Sequence, residues 1–352
     1  MPIINEPSVP GAVGGAAEDV ARRATAEERA GNWDAAADLY AATFRSALRE
    51  GLAERSVDAL RGQARMRLSQ RRFEEAQELA ELAVELAERY GLPYAVARGL
   101  NVLGLVRFHW EGDLGQAAAL YGRALELALD LGDDELVGLA CQNLGVAAHV
   151  RGDYREARAR YLEGIGSFVR SGSTANAMLA YNNLGQASAD LHEWMEAEVY
   201  FTRGLEIAER LGHAPSAGML YGNLAGPLIQ VGELERARRA LDLAEAAAGQ
   251  VGDRVSLADA ARFRGMMARL EGDLAAADAH LARALEIAAA PELARERGAA
   301  LRELAELRLA QRRRAEALEC LREAARVLEG RGAEAEARGA RERLDGLEAQ
   351  RS

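Results

Sequence analysis

The chain has 352 residues and a formal net charge of −11, from 55 acidic side chains against 44 basic ones, all of them Arg. That balance repels phosphate backbones, so a nucleic-acid partner is not expected, and the lack of lysine excludes Schiff-base and phosphate-loop lysine chemistry. Hydrophobic residues reach 49% but aromatics only 5%, so the core must be built from Ala and Leu, a composition for packed helices rather than sheet.

Residues 1–16 hold Pro2, Pro7, Pro10, Gly11, Gly14 and Gly15, a density of helix breakers that predicts a flexible tail. Beyond it an alanine recurs at Ala36, Ala76, Ala117, Ala157, Ala197, Ala237, Ala277 and Ala317, in steps of 40 or 41 residues. Self-similarity at that spacing marks a stacked-repeat architecture, in which each unit touches only its neighbours and the core grows lengthwise. Two sets of turn signals keep the same period. The first reads Gly31-Asn32, Gly112-Asp113, Gly152-Asp153, Gly232-Glu233 and Gly272-Asp273; the second has Gly51, Gly91, Gly132, Gly172, Gly212 and Gly252. Glycine supplies the left-handed stop of one helix, and Asp or Asn caps the next. Asp153 and Glu156 have the spacing of a capping box. The 3.6-residue apolar period of the intervening helices is clear in Tyr154, Ala157 and Tyr161, and again in Trp194, Ala197 and Phe201.

These residues carry a family resemblance. Repeats four to seven read Leu144-Gly145, Gly152-Asp153-Tyr154, Ala157, Tyr161; Leu184-Gly185, Trp194, Ala197, Phe201; Leu224-Ala225, Gly232, Ala237, Leu241; and Gly265, Gly272-Asp273, Ala277, Leu281, Ala284. The pattern resembles the tetratricopeptide repeat, here in a longer unit than the usual 34 residues. It is similar to the arrays of kinesin light chains, of Leu-Gly-Asn repeat scaffolds and of bacterial regulators with sensor arrays. The resemblance implies an all-α fold: a right-handed α-solenoid of about eight helix-turn-helix units over residues 17–332, followed by a C-terminal capping helix over 333–352. Repeats one, two and eight depart from the pattern, with Gln70-Arg71-Arg72 and Arg312-Arg313-Arg314 where glycine belongs. Terminal repeats do so because one of their faces meets solvent.

The chain carries almost no recognisable catalytic chemistry. His109, His149, His192, His213 and His280 lack metal-ligand spacing. Gly164-Ile165-Gly166 lies inside a second helix and follows no strand, so a dinucleotide role is excluded. No Walker motif or nucleophile elbow is present. The expectation is a protein without enzymatic activity, cofactor or metal. Cys141 and Cys320 fall in helical patterns, as reduced thiols do in a cytosolic protein. The N-terminal residues lack a signal-peptide pattern and no 18-residue apolar run exists, so a cytoplasmic location without a membrane partner is expected.

The informative constellation is one helix face. If the Leu-Gly pair of each first helix takes places seven and eight, places two, five, six, nine, twelve and thirteen share one side at 100° per residue. In tetratricopeptide arrays that side lines the concave groove, and the resemblance implies the same here. The residues there are Arg98, Asn101, Leu105 and Phe108; Gln142, Asn143, Val146 and His149; Asn182, Asn183 and Gln186; Met219, Asn223 and Ile229; and Arg262, Met266 and Arg269, with Arg61, Arg65 and Arg302 beyond. Place six holds Asn143, Asn183 and Asn223. An amide offers both donor and acceptor, so such a row can pair with an extended peptide backbone; it can equally serve hydrogen bonding between helices. The arginines can grip an acidic ligand or pair with Glu303 and Glu306. The carboxylate clamp of chaperone-binding arrays is absent, since it requires lysine.

Two irregularities stand out. Gly104 to Gly112 spans eight residues where Gly145 to Gly152 spans seven, so the Phe108-His109-Trp110 segment predicts either a π-bulge or a longer turn. Gly226-Pro227 falls mid-helix, where proline removes a hydrogen bond and can kink the chain. The functional expectation is an adaptor that binds a peptide segment of a partner protein in the groove. The alternative is a peptide- or effector-responsive sensor acting through a partner by a change of curvature. Peptide-pheromone receptors resemble the latter but carry a DNA-binding domain ahead of the array, and the 16 residues here are too few for one.

Overall fold

The computed structural model describes residues 15–110, 112–329 and 333–349. The tail expected over 1–16 therefore lies almost wholly outside the described residues. Seventeen α-helices and no strand are present among those residues, and the helices fall into pairs. The pairs are α1 (Ala16–Arg29) with α2 (Trp33–Glu50), α3 (Ala53–Ser69) with α4 (Phe73–Arg89), α5 (Pro93–Trp110) with α6 (Leu114–Leu131) and α7 (Asp134–Arg151) with α8 (Tyr154–Ser171). They continue with α9 (Thr174–Asp190) and α10 (Trp194–Arg210), α11 (Ala214–Gln230) and α12 (Leu234–Val251), α13 (Arg254–Glu271) and α14 (Leu274–Ile287), and α15 (Ala294–Ala310) and α16 (Arg314–Leu328). A last helix, α17 (Glu334–Ala349), occupies the span expected for the cap. This is an α-solenoid of eight helical hairpins and a terminal helix.

The turns explain the period. Gly31, Gly112, Gly152, Gly232 and Gly272 all have positive φ, as do the six glycines of the second series. The three positions without glycine adopt the same conformation, with φ of 60° at Arg71, 61° at His192 and 62° at Arg312. Left-handed backbone at a residue with a Cβ costs about 1–2 kcal/mol, so the fold imposes the turn on these side chains. The second series ends at Gly252; its next register is a short 3-10 turn, Pro291–Leu293. Caps follow the expectation in part. Asp113 and Asp273 accept hydrogen bonds from the backbone N–H groups of Gln116 and Ala276, while Asn32 and Glu233 make no capping bond. Asn32 instead donates to Glu27 at 2.7 Å. Glu156, the distal residue of the expected capping box, pairs with Arg151 at 2.6 Å.

All eight period-marking alanines are fully buried. The Leu-Gly glycines sit where paired helices cross. A Cβ on Gly145 would stand 2.5 Å from the Tyr161 ring, one on Gly185 2.7 Å from Phe201, and one on Gly265 2.6 Å from Leu281. Each ring or leucine fills the space that the glycine leaves, which packs the hairpin at the density of a protein interior. α5 is α-helical throughout its 18 residues. Phe108-His109-Trp110 therefore form regular helix with no π-bulge, and α5 has the same 18-residue length as α7; the extra residue falls at position 111, outside the described residues. α11 continues through Pro227 without interruption.

The chain forms two compact units, Met1–Ala147 with Ala159–Ala177, and Ala148–Arg158 with Met178–Ser352. Within the first, α3 packs against α5; within the second, α11 packs against α13 and α13 against α15. Successive first helices thus touch directly, while among the described residues successive second helices make no comparable contact. The helices that lie closer together line the inner side of a curved stack, so the first helices form the inner layer of each unit.

Candidate functional site

In the first unit the inner places of α5 and α7 bring Asn101, Gln142 and Asn143 together. All three are more than nine-tenths buried. Asn143 Nδ2 donates to Asn101 Oδ1 at 3.2 Å, joining successive first helices. Asn101 Nδ2 and Gln142 Oε1 remain buried without a partner. An unpaired buried polar atom costs about 1–3 kcal/mol, so this donor and this acceptor are an unfilled capacity. Leu105, Phe108 and Val146 are half-buried beside them. Arg98 is buried and lies 3.5 Å from Asp58, which also pairs with Arg61 at 3.1 Å. Arg65 is held by Glu28 at 2.7 Å.

The second unit repeats the arrangement. Asn223 Nδ2 donates to Asn182 Oδ1 at 2.8 Å, again between successive first helices. Asn182 is buried, whereas Asn183, Gln186 and Asn223 are half-exposed. Met219 and Met266 pack on the apolar cluster of Leu220, Leu224 and Ile229. At the far side Arg262 pairs with Asp259 at 2.9 Å and stacks over the Phe263 ring at 3.9 Å from its centroid. Arg269 pairs with Glu303 at 2.7 Å. Burial pushes the Glu303 carboxyl above its usual range, against the pull of Arg269 and Arg262. His149 Nε2 lies 2.9 Å from Asp190 Oδ2, with its ring edge-on to Tyr154.

The place-six asparagines Asn143 and Asn223 thus bridge helices, and five of the predicted arginines (Arg61, Arg65, Arg98, Arg262 and Arg269) pair within the chain. Their acceptors Asp58, Glu28 and Asp259 escaped the sequence reading; Glu28 lies on another helix, but Asp58–Arg61 and Asp259–Arg262 have the i,i+3 spacing of a single helix, a signal that could have found them. The cysteines offer no redox centre. Cys141 is buried, with its thiol pushed up to about 12 chiefly by burial and then by Glu163, and Cys320 is half-buried. Two openings, of about 440 Å³ beside Pro291 and Val327 and about 350 Å³ beside His192, Trp194, Met195 and Val231, include none of the inner-place residues. The described residues hold no group of three or more His, Cys, Asp or Glu placed to bind a metal, and no helix among them is long and apolar enough to cross a membrane.

No protein-family model and no curated protein matches the sequence. Solved structures do resemble it. A STAND signal-transduction ATPase from Pyrococcus horikoshii with a tetratricopeptide repeat sensor aligns with a TM-score of 0.64 at 15% identity, over 88% of this chain and 47% of that one. Aspartyl phosphate phosphatase F from Bacillus subtilis aligns with a TM-score of 0.66 at 12% identity, over 85% and 76% of the two chains. The Rap conjugation gene regulator of plasmid pLS20, in complex with a Phr peptide, aligns with a TM-score of 0.55 at 14% identity, over 79% and 76%. At these identities the likeness is one of fold, and the fold is that of tetratricopeptide repeat arrays.

Proposed function

We propose that the chain is a non-enzymatic protein-interaction module that holds a peptide segment of a partner against the inner layer of its first helices. The observation that carries this reading is the presentation of side-chain amides at inner places of the second unit. In the second unit Asn183, Gln186 and Asn223 are half-exposed beside Met219. Their donors and acceptors match the repeating N–H and C=O of a backbone, whatever its side chains. In the first unit Asn101 Nδ2 and Gln142 Oε1 are buried and unpaired, one donor and one acceptor that a ligand reaches only if the layer opens. The arginines contribute order to the inner layer, since their charges are already matched by Asp58, Glu28, Asp259 and Glu303. One fold neighbour is in complex with a peptide, which accords with a peptide as the ligand.

The test is to pan a displayed library of random peptides on the full chain and to measure the enriched peptides by calorimetry. With Asn183→Ala, Gln186→Ala and Asn223→Ala combined, affinity is expected to fall about 10- to 150-fold, since each lost hydrogen bond is worth about 0.5–1 kcal/mol. Peptides that bind the triple variant as tightly as the parent would overturn the reading, and so would a library that yields no binder.

A further inference from the structure

The turn between α7 and α8 differs from its equivalents. A Cβ on Gly112, Gly232 or Gly272 would meet nothing within 4 Å, whereas one on Gly152 would stand 2.9 Å from Arg338 Nη2 and 3.3 Å from the Ala335 Cβ. Both neighbours belong to α17. Arg338 Nη2 also donates to the Arg151 carbonyl at 3.4 Å, a contact between residues 187 positions apart. Two residues on, Tyr154 is half-buried and its hydroxyl is pushed up to about 12, by burial first and then by Asp190 and Glu336, with Arg302 and Arg338 opposing. His149, Asp190 and Arg302 occupy inner places of the first helices of repeats four, five and eight. His149 stands edge-on to Tyr154, and the charges of Asp190 and Arg302 from the inner layer and of Glu336 and Arg338 from α17 all act on its hydroxyl.

The attachment of α17 is lopsided. Ala337, Ala340 and Leu347 are buried. Arg343 pairs with Glu306 at 2.9 Å, Arg295 with Glu336 at 3.0 Å and Arg322 with Glu348 at 2.6 Å, which fastens the helix to α15 and α16. Among the described residues, its hold on the α7–α8 turn is one exposed hydrogen bond, with the Ala335 methyl beside Gly152. A helix anchored strongly on one side and weakly on the other can release the weak side while staying folded.

We propose that this weak contact is a latch: α17 closes onto the α7–α8 turn across the inner layer of repeats five to eight, and that layer admits a peptide segment when the latch opens. The proposal rests on reading the inner layer as the binding surface, but its test needs no ligand. The reporter is Gln186→Cys in a Cys320→Ser background; Cys141 is buried, with a thiol pushed up to about 12, and does not compete. The probes are a maleimide on a long polyethylene glycol chain and the small N-ethylmaleimide.

Arg338→Ala removes the hydrogen bond without touching the backbone. It is expected to speed the polymer reaction about fivefold, the factor for loss of one ordinary hydrogen bond, and to leave the small reagent unchanged. Gly152→Ala is expected to do the same. Gly272→Ala is the control, because its φ of 87° equals that of Gly152 but nothing lies within 4 Å; it should leave both rates alone. The latch is refuted if the polymer rate stays constant in Arg338→Ala, or if Gly272→Ala raises it as much as Gly152→Ala does. Should Gly152→Ala fail to fold, Arg338→Ala decides alone. Absence of peptide binding would sink the previous section's reading and leave these rates untouched, so the two failures are separable.

Discussion

At the residue scale, close approach is what the sequence encodes most densely. The buried alanines mark the period because no larger side chain fits between crossing helices, and each Leu-Gly glycine leaves room for one ring or leucine of the partner helix. Gly145→Ala would place a methyl 2.5 Å from the Tyr161 ring. It is expected to destabilise the chain by about 1–3 kcal/mol, the range for overpacking, read as a lower urea midpoint. The opposite sign is expected at His192 and Arg312, which hold φ of 61° and 62°. His192→Gly or Arg312→Gly relieves left-handed strain and should raise stability by about 1 kcal/mol, less what glycine adds to unfolded-state entropy. Unchanged melting temperatures in both variants would refute that account. The turn register was legible at these positions, but the conformation was not. Only the packed neighbours force a histidine or arginine into glycine's backbone state.

At the element scale, the helix pairs and their ends were legible because glycine turns and apolar periodicity agree. Individual caps were not. Asn32 makes no cap, and its Nδ2 instead donates to Glu27, an orientation invisible without the fold. The extra residue before Gly112 was ambiguous in sequence, and an uninterrupted α5 through Trp110 decides against the π-bulge. Pro227 lies inside α11, so the helical hydrogen bond from residue 227 to the Asn223 carbonyl cannot form. Such a proline costs about 3 kcal/mol in a helix interior, part of which its burial returns. Pro227→Ala is expected to stabilise the chain by about 1–2 kcal/mol, and thermal melting checks it. Loss of stability in that variant would mean that the ring's packing outweighs the missing bond.

At the scale of the whole molecule, the tyrosines set an alkaline limit. Burial raises the Tyr40, Tyr121 and Tyr200 hydroxyls above 10, burial and nearby carboxylates push Tyr154 up to about 12, and the hydrogen bond to Glu209 does the same for Tyr221. Above pH 10 the unfolded chain releases these protons while the folded chain keeps them, so the folded state binds more protons and stability falls with rising pH. Denaturation titrations should show the stability contribution intact below pH 10 and lost between pH 10 and 12, with a shallower fall in Tyr221→Phe. A flat profile over that window contradicts the assignment.

By itself the amino-acid sequence determined the repeat, its period, the helix pairs, the buried alanines and the face on which the amides fall. All of these follow from local spacing, since a helix face and a left-handed turn are set by residues a few positions apart. What the tertiary structure alone decided is how each polar side chain is used. Asn143 binds Asn101, Arg98 meets Asp58, and Arg338 reaches the Arg151 carbonyl across 187 positions. Those partners depend on how successive hairpins rotate against one another, a sum of many small packing angles that no short window of sequence contains.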